Sequence, residues 1–377
     1  MGGELLKMSH RELDRVQVIQ DVIQRHLTQA QAARRLQLSR RQVKRLVRRY
    51  RTQGAGGLIS RRRGQPSNNR IAAAVRAEYL LLVREHYPDF GPSFAHEKLV
   101  EQHGFRHSVE TLRHWMIADG LWRTRASRAP RPFQIRARRP CRGEMVQIDG
   151  SPHDWFEGRA RRCALIVFID DATGELLALR FAPGETTEAY MRVLRDYLAV
   201  HGRPVSLYSD RHSVFRVNAP DREGELTQFG RALHTLDIEA IHARTPQAKG
   251  RVERANQTLQ DRLIKEMRLA GIHSIEAANA WLPSFIADYN RRFAITPEQA
   301  EDAHRRVLHS EAELDLILCL HHQRTLSKNL TLQCHNRLYQ VENHGKGYRL
   351  RHTQVTVCEG FDGAVTLLHQ GKALDYS

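Results

Sequence analysis

Between Met145 and Leu236 the apolar residues fall into short runs whose order restricts the chain to a layered α/β core. Met145-Val146-Gln147-Ile148-Asp149 alternates as a strand that delivers a carboxylate at its end, before Gly150. Cys163 to Ile169 and Leu176 to Phe181 form two further apolar strands, joined through Asp170-Asp171-Ala172-Thr173-Gly174, a turn composition that accounts for both of its aspartates. Thr187 to Val200 carries Tyr190, Val193, Leu194 and Tyr197 at helical spacing, and Gly202 is placed to end that helix. A fourth strand, Val205 to Tyr208, runs into Ser209-Asp210. A helix near Leu226 to Leu236, a short strand around Glu239 to His242 and a helix with Glu253 near its start complete the series. Two aspartates therefore come to strand ends and one glutamate to a helix.

The N-terminal part is helical and basic. Residues 11–53 divide into three helices, the second opening at Thr28 with Gln31 three residues on and the third at Ser39 with Gln42, so both carry a capping-box pattern. The short Gln37-Leu38 link between them suits a helix-turn-helix, although the usual turn glycine is absent. In the third helix Val43, Leu46, Val47 and Tyr50 make an apolar stripe, while Arg40, Arg41, Lys44, Arg45 and Arg48 lie mostly on the other faces, as in a helix that reads DNA. Gly54-Ala55-Gly56-Gly57 followed by Arg61, Arg62 and Arg63 has the composition of a basic linker that can follow the DNA backbone or minor groove. Residues 71–122 form a second helix-turn-helix-like region, with Ser93 and Ser108 as candidate caps and Leu112, Trp115 and Met116 as its core stripe. Residues 123–142 are basic, contain proline and lack periodicity, as expected of an interdomain linker crossing DNA.

Charge agrees with this division. The chain holds 59 Lys and Arg against 42 Asp and Glu, a net +17, which draws it to a polyanion and makes binding salt-dependent through counterion release. The basic residues are spread over several elements instead of one amphipathic stripe, and the longest apolar run, Ala164 to Ile169, is far too short to span a bilayer. No membrane partner is expected, and with no signal-like apolar segment at the N-terminus the expected location is the bacterial cytosol, associated with the nucleoid. The five cysteines contain no Cys-x-x-Cys pair and are expected to be free thiols; Cys319, His321, His322 and Cys334 match no ordinary zinc-finger spacing.

Three segments resemble the integrase-core motifs of DDE transposases: Gln147-Ile148-Asp149-Gly150-Ser151, Tyr208-Ser209-Asp210, and Pro246-Gln247-Ala248-Lys249-Gly250-Arg251-Val252-Glu253-Arg254. The pattern is most similar to ISNCY-type insertion-sequence transposases, and Asp288-Tyr289-Asn290-Arg291-Arg292-Phe293 extends it beyond the core. The resemblance implies an α/β ribonuclease H-like catalytic core over residues 143–295 with N-terminal all-α helix-turn-helix domains. It implies Asp149, Asp210 and Glu253 as the catalytic acidic triad and as ligands of two Mg²⁺ (or Mn²⁺) ions per active site, with Lys249 and Arg251 meeting DNA. Asp210 and Glu253 stand 43 positions apart, more than in retroviral integrases, and Asn218 to Glu225 has room for the extra length. Glu239 is the alternative third carboxylate, without the Gly-Arg-Val-Glu-Arg context; His153 and His212, beside the motifs, are expected to pack structurally.

The chemistry fits the residue types. Phosphodiester cleavage and transfer need an activated hydroxyl and stabilisation of charge on the departing oxygen, which two hard cations held by carboxylates supply. The expected function is a DNA transposase that binds the ends of an insertion sequence and catalyses strand cleavage and transfer. Its partners would be double-stranded DNA, both element ends and target, and further copies of itself in a homodimer or higher multimer. A transposase-derived regulator that binds DNA without catalysis is the alternative, which the intact triad disfavours. Short alternating segments in residues 320–370, such as Leu330-Thr331-Leu332 and Val355-Thr356-Val357, are expected to form a small β-barrel.

Overall fold

The computed structural model describes residues 7–61, 70–123, 137–218, 224–243, 250–342 and 349–377. The chain divides into two compact units, Met1–Arg128 and Ala129–Ser377.

The first unit opens with α1 (His10–Ile23), α2 (Gln29–Arg35) and α3 (Arg40–Gln53). Both expected capping boxes form, Thr28 with Gln31 and Ser39 with Gln42, and a third, Ser9 with Glu12, starts α1. Gln37 takes the left-handed position in the α2–α3 turn, φ 53°, where a glycine is usual; this costs roughly 1–2 kcal/mol of backbone strain. Val18, Ile19, Ala32, Val43 and Val47 make the core, and Leu58 joins them. Leu58 changes the reading of the glycine-rich stretch: Gly54–Leu58 is a 3₁₀ turn folded back on α3, not a linker. Gly57 lies so close to α3 that a Cβ there would stand 2.6 Å from the Arg49 carbonyl oxygen.

Three further helices follow, α4 (Ala73–His86), α5 (Pro92–His103) and α6 (Val109–Ala118), around Phe90, Phe94, Leu99, Leu112 and Met116. Ser108 caps α6 as expected, accepting from the Thr111 amide at 3.2 Å. Ser93 does not cap α5. Gly91 is the cap and Pro92 the first helical residue, because proline lacks an N–H and its fixed φ suits that position.

In the second unit β1 (Cys141–Arg142) precedes β2 (Met145–His153), β3 (Cys163–Asp170), β4 (Leu176–Ala182), α7 (Thr187–His201), β5 (Ser206–Ser209), α8 (Gln228–Thr235), β6 (Glu239–His242) and α9 (Gly250–Leu269). From β2 to α9 these are the elements expected from the apolar pattern, in the same order, while β1 falls where a linker was expected. The sheet runs β4-β3-β2-β5-β6, with the β2–β3–β4 meander antiparallel and β5 and β6 parallel to β2. The core on one face gathers Tyr190, Leu194 and Tyr197 of α7 with Phe229 and Leu233 of α8; the other gathers Leu259 and Leu263 of α9 with Leu282 and Phe285 of α10 (Ile275–Phe293). Covered on both sides, β3 is buried at every position.

β4 is the sheet's edge strand, and α10 seals it with two side-chain amides. Asn290 accepts from the Leu176 N–H at 2.8 Å and donates to its carbonyl at 2.9 Å; Asn279 does the same for Phe181 at 2.7 and 3.0 Å. Four backbone groups near the two ends of this edge strand, which would otherwise lack a ladder partner, are thus satisfied.

After α10, β7 (Gln299–Asp302) pairs in parallel with β1, and α11 (Glu311–Ile317) joins the first core. The C-terminal strands are β8 (Leu320–Thr325), β9 (Thr331–Cys334), β10 (Arg337–Gln340), β11 (Gln354–Glu359), β12 (Val365–His369) and β13 (Lys372–Leu374). They form a four-stranded antiparallel sheet, β13-β12-β11-β8, and a β9–β10 hairpin. Both pack on one core of Leu326, Leu332, Val355, Val357 and Leu367, and a bridge between Val341 and Tyr376 ties the hairpin to the chain's end. The expected small barrel is not closed: among the described residues the sheet and the hairpin are separate, and no ladder joins β8 to β9.

All five cysteines are free. No helix among the described residues is long and apolar enough to cross a membrane.

Candidate active site

The register of β2 against β5 brings the two aspartates together. Met145, Val146 and Gln147 pair with Ser206, Leu207 and Tyr208, and the same register carried two positions further sets Asp149 opposite Asp210. Asp210 follows the last residue of β5, at the strand end as expected. Asp149 is not at a strand end: β2 continues to His153 because its other neighbour, β3, pairs with it through Cys163. Only on the β5 side does Asp149 project past the ladder.

Helix α9 lies along β2 and holds it at alternate residues. The Val252 amide donates to Gln147 Oε1 at 3.3 Å, Asn256 Nδ2 to Asp149 Oδ2 at 2.8 Å, and Gln260 Nε2 to the Ser151 hydroxyl at 3.1 Å. The spacing has a geometric cause. Strand residues two apart face the same side and rise about 6.6–6.8 Å, while helix residues four apart share a face and rise about 6 Å, so the two repeats stay in step over two intervals. Glu253 is exposed and precedes Asn256 by three positions, which puts it one turn away on the same face. Glu239 pairs with Ser206 at the opposite end of β5 from Asp210 and lies outside this group.

Two residues that sequence reasoning missed complete the site. Asn256 is 9% exposed, and its Oδ1 is buried without a hydrogen-bond partner beside Asp149. An i, i+3 relation to Glu253 was the signal that could have found it. Glu185, in the loop before α7, lies against the backbone at Gly150: a Cβ on Gly150 would stand 2.1 Å from the Glu185 carboxyl carbon. Burial pushes the Glu185 carboxyl above the ordinary carboxylate range; a hydrogen bond from the Tyr190 hydroxyl at 3.2 Å and nearby His212 oppose this, and the charges of Asp149 and Asp210 add to it. Its neighbours therefore place a third carboxylate within electrostatic reach of both aspartates.

The residues around Asp210 are hydrogen-bonded to one another. Asp210 Oδ1 accepts from the His212 amide at 2.8 Å, and the Ser209 hydroxyl meets His242 Nδ1 at 3.1 Å. Burial, then the charge of Arg216, lowers the His242 pKa. His153 packs edge-on to Trp155, as expected of a structural histidine.

The β3–β4 turn forms as expected, but its aspartates do more than turn the chain. Asp170 is fully buried and accepts from the Gly143 amide and from the Thr173 amide and hydroxyl. Asp171, equally buried, accepts from Gln147 Nε2 and the Arg139 amide, and pairs with the Arg251 guanidinium at 2.6 Å. Arg251, expected to meet DNA, thus neutralises a buried carboxylate behind the acidic site, since an unpaired charge there would be costly. Arg138 donates to the Ala172 carbonyl at 3.0 Å, so 137–142, expected as the end of a linker, are docked on the core. Residues 124–136, the bulk of that linker, lie outside the described residues.

In the N-terminal unit Arg40, Arg41, Lys44, Arg45 and Arg48 are all exposed on α3, opposite buried Val43 and Val47, and Arg61 is exposed as well. Arg62, Arg63 and Lys249 lie outside the described residues.

Comparison with known proteins gives these two regions a common context. The helix-turn-helix domain family matches residues 14–67, and the integrase core domain family matches residues 234–292. A Sinorhizobium fredii protein named as transposase y4bF is 46% identical over 375 residues, which is 99% of this chain and 82% of the relative. The transposase for insertion sequence IS1202 of Streptococcus pneumoniae is 30% identical over 391 residues, 93% of this chain and 82% of that protein. Among solved structures, the HTLV-2 integrase catalytic core domain with magnesium aligns with 44% of this chain and 98% of its own at 14% identity and a TM-score of 0.33. A simian T-cell lymphotropic virus intasome chain aligns with 76% of this chain and 99% of its own at 15% identity and a TM-score of 0.34. With both curated relatives similar over nearly its whole length, the chain belongs to the insertion-sequence transposases of the integrase superfamily.

Proposed function

We propose that this transposase cuts and joins DNA at one acidic centre formed by Asp149, Asp210 and Glu253, which would hold two Mg²⁺ or Mn²⁺ ions. The observation that carries the reading is the β2–β5 register, which sets two aspartates side by side and leaves Glu253 one turn from the residue that grips Asp149. The donor set suits hard divalent cations, which take oxygen ligands, and the unpaired Asn256 Oδ1 beside Asp149 suits a coordinated water. Bound ions would activate the attacking hydroxyl and stabilise the departing oxygen. The chain's own residues act on position and charge. Asn256 orients Asp149 by donating to one of its oxygens, and Glu185, uncharged at low pH, adds negative charge to the centre once it ionises.

The exposed cations of α3 would engage the element ends, the phosphate contacts supplying affinity and the base contacts register. Joining two ends calls for two centres, so the working form is a dimer or larger multimer on DNA, acting in the bacterial cytosol at the nucleoid. Asp149→Asn, Asp210→Asn and Glu253→Gln each remove ligand charge with little change of shape. Each should lower strand transfer by about 10²–10³-fold or more while end binding, measured by titration, is retained. Near-normal transfer by any one variant removes that residue from the centre; end binding without any transfer by the parent protein would leave the DNA-binding regulator as the remaining reading.

A further inference from the structure

The C-terminal β unit carries a second cluster of metal-binding side chains, remote in sequence from the acidic centre. His322 Nε2 and His335 Nε2 each lie 3.2 Å from the same oxygen of Glu359, and 3.4 Å from each other. Four-coordinate zinc with ligand bonds of about 2.0–2.1 Å has ligand-to-ligand edges of about 3.3 Å. The three donor atoms thus already form one face of a zinc tetrahedron. Cys334, 3% exposed, has its sulfur within 4.8 Å of a ring nitrogen of both histidines. Two neutral imidazoles, one carboxylate and one thiolate would balance the charge of Zn²⁺.

We propose that a single Zn²⁺ is held by His322, His335, Glu359 and Cys334. The ligands come from β8, from the end of β9 and the turn after it, and from β11. Those are the parts that no described backbone ladder connects at the β8–β9 seam, so the ion would staple the hairpin to the sheet. With Asn336, His335 forms the two-residue turn between β9 and β10, at φ 47° and 61°, so the hairpin turn carries one of the two imidazoles.

The neighbouring trio Cys319, His321 and Cys358 is a poorer site. His321 Nε2 and Cys319 Sγ are both directed at the Leu316 carbonyl, at 2.7 and 3.2 Å, and Arg231 donates to the Cys319 carbonyl at 2.7 Å.

The test is zinc content of the full chain by elemental analysis, after dialysis against zinc and removal of loose metal. One equivalent is expected, retained in Asp149→Asn and Cys358→Ser but lost in His335→Asn and Glu359→Gln. His335→Asn keeps a turn-compatible residue, so without metal it should melt no lower than the parent, whereas the parent, unlike this variant, should gain melting temperature on adding zinc. With Co²⁺ in place of Zn²⁺, the thiolate charge-transfer absorption should vanish in Cys334→Ser. Absence of zinc from the parent, retention in His335→Asn and Glu359→Gln, loss in Asp149→Asn, or a cobalt complex without the thiolate band would each overturn the assignment.

Discussion

The two regions proposed to handle DNA are built on opposite principles. In α3 the residues that would meet DNA are exposed, and their placement depends on a local capping box and an apolar stripe of two to four residues. In the acidic centre Asp149 is gripped by Asn256, more than a hundred positions away, and Gln260 holds Ser151 on the same strand across a similar separation. A surface that reads many phosphates tolerates mobile side chains, because charge acts over a Debye length of about 8–10 Å. A centre that handles one phosphorus atom does not, because misplacement by about 1 Å can cost about 10²-fold.

The sharpest way to break this contrast is to loosen the acidic centre without touching a ligand. Asn256→Ala should reduce strand transfer about 10–100-fold and raise the Mn²⁺ or Mg²⁺ concentration needed for half-maximal rate, as expected of residues that orient metal ligands. Metal-dependence curves that superimpose on the parent's would show that the α9–β2 hydrogen bonds serve folding alone. Next in size, replacing Arg41, Lys44 and Arg45 together with Ala should weaken end binding and reduce the slope of log affinity against log salt by about 0.9 for each phosphate that is no longer neutralised. Transfer at saturating DNA should change little. An unchanged slope would move the reading role to α4–α6.

The smallest effect concerns Glu185. Burial raises its folded pKa, so its ionisation opposes folding. In metal-free protein, Glu185→Gln should match the parent's stability below the ordinary carboxylate range and exceed it increasingly as pH rises through the folded pKa. The gain should stay under about 1 kcal/mol because the group is only half-buried and solvent screens it. Denaturation midpoints across pH would decide; a constant difference would mean that the loop, not the charge, is responsible.

The same contrast explains what could be read from the sequence. Caps, stripes and strand order are local or periodic, and Thr28, Ser39, Ser108 and the series from β2 to α9 were legible for that reason. Asp149 and Asp210 could be singled out by motif, but their alignment needed the register of two strands about sixty residues apart in sequence. Asn256 was marked only by its i, i+3 relation to Glu253, a weak signal, since an asparagine in a helix is chemically silent until its partner is known. Arg251 misled for the same reason: beside the motif it looked like a DNA contact, and only the fold brings the buried Asp171 to it. Gly54–Leu58 misled through composition, because glycine marks a close approach as readily as a linker.

The amide clasp on β4 has a consequence for the birth of the protein. The groups that seal this edge are supplied 98 and 114 residues later in the chain. At translation rates of about 5–20 residues per second, the Leu176 end of the strand waits roughly 6–23 s for Asn290 to be made. Throughout that interval the nascent core exposes an apolar strand with open hydrogen-bonding groups, the surface most prone to pair with a neighbouring polypeptide. A chain cut short before Ile275 would therefore keep this edge open, with the four backbone groups that Asn279 and Asn290 cover left unpaired.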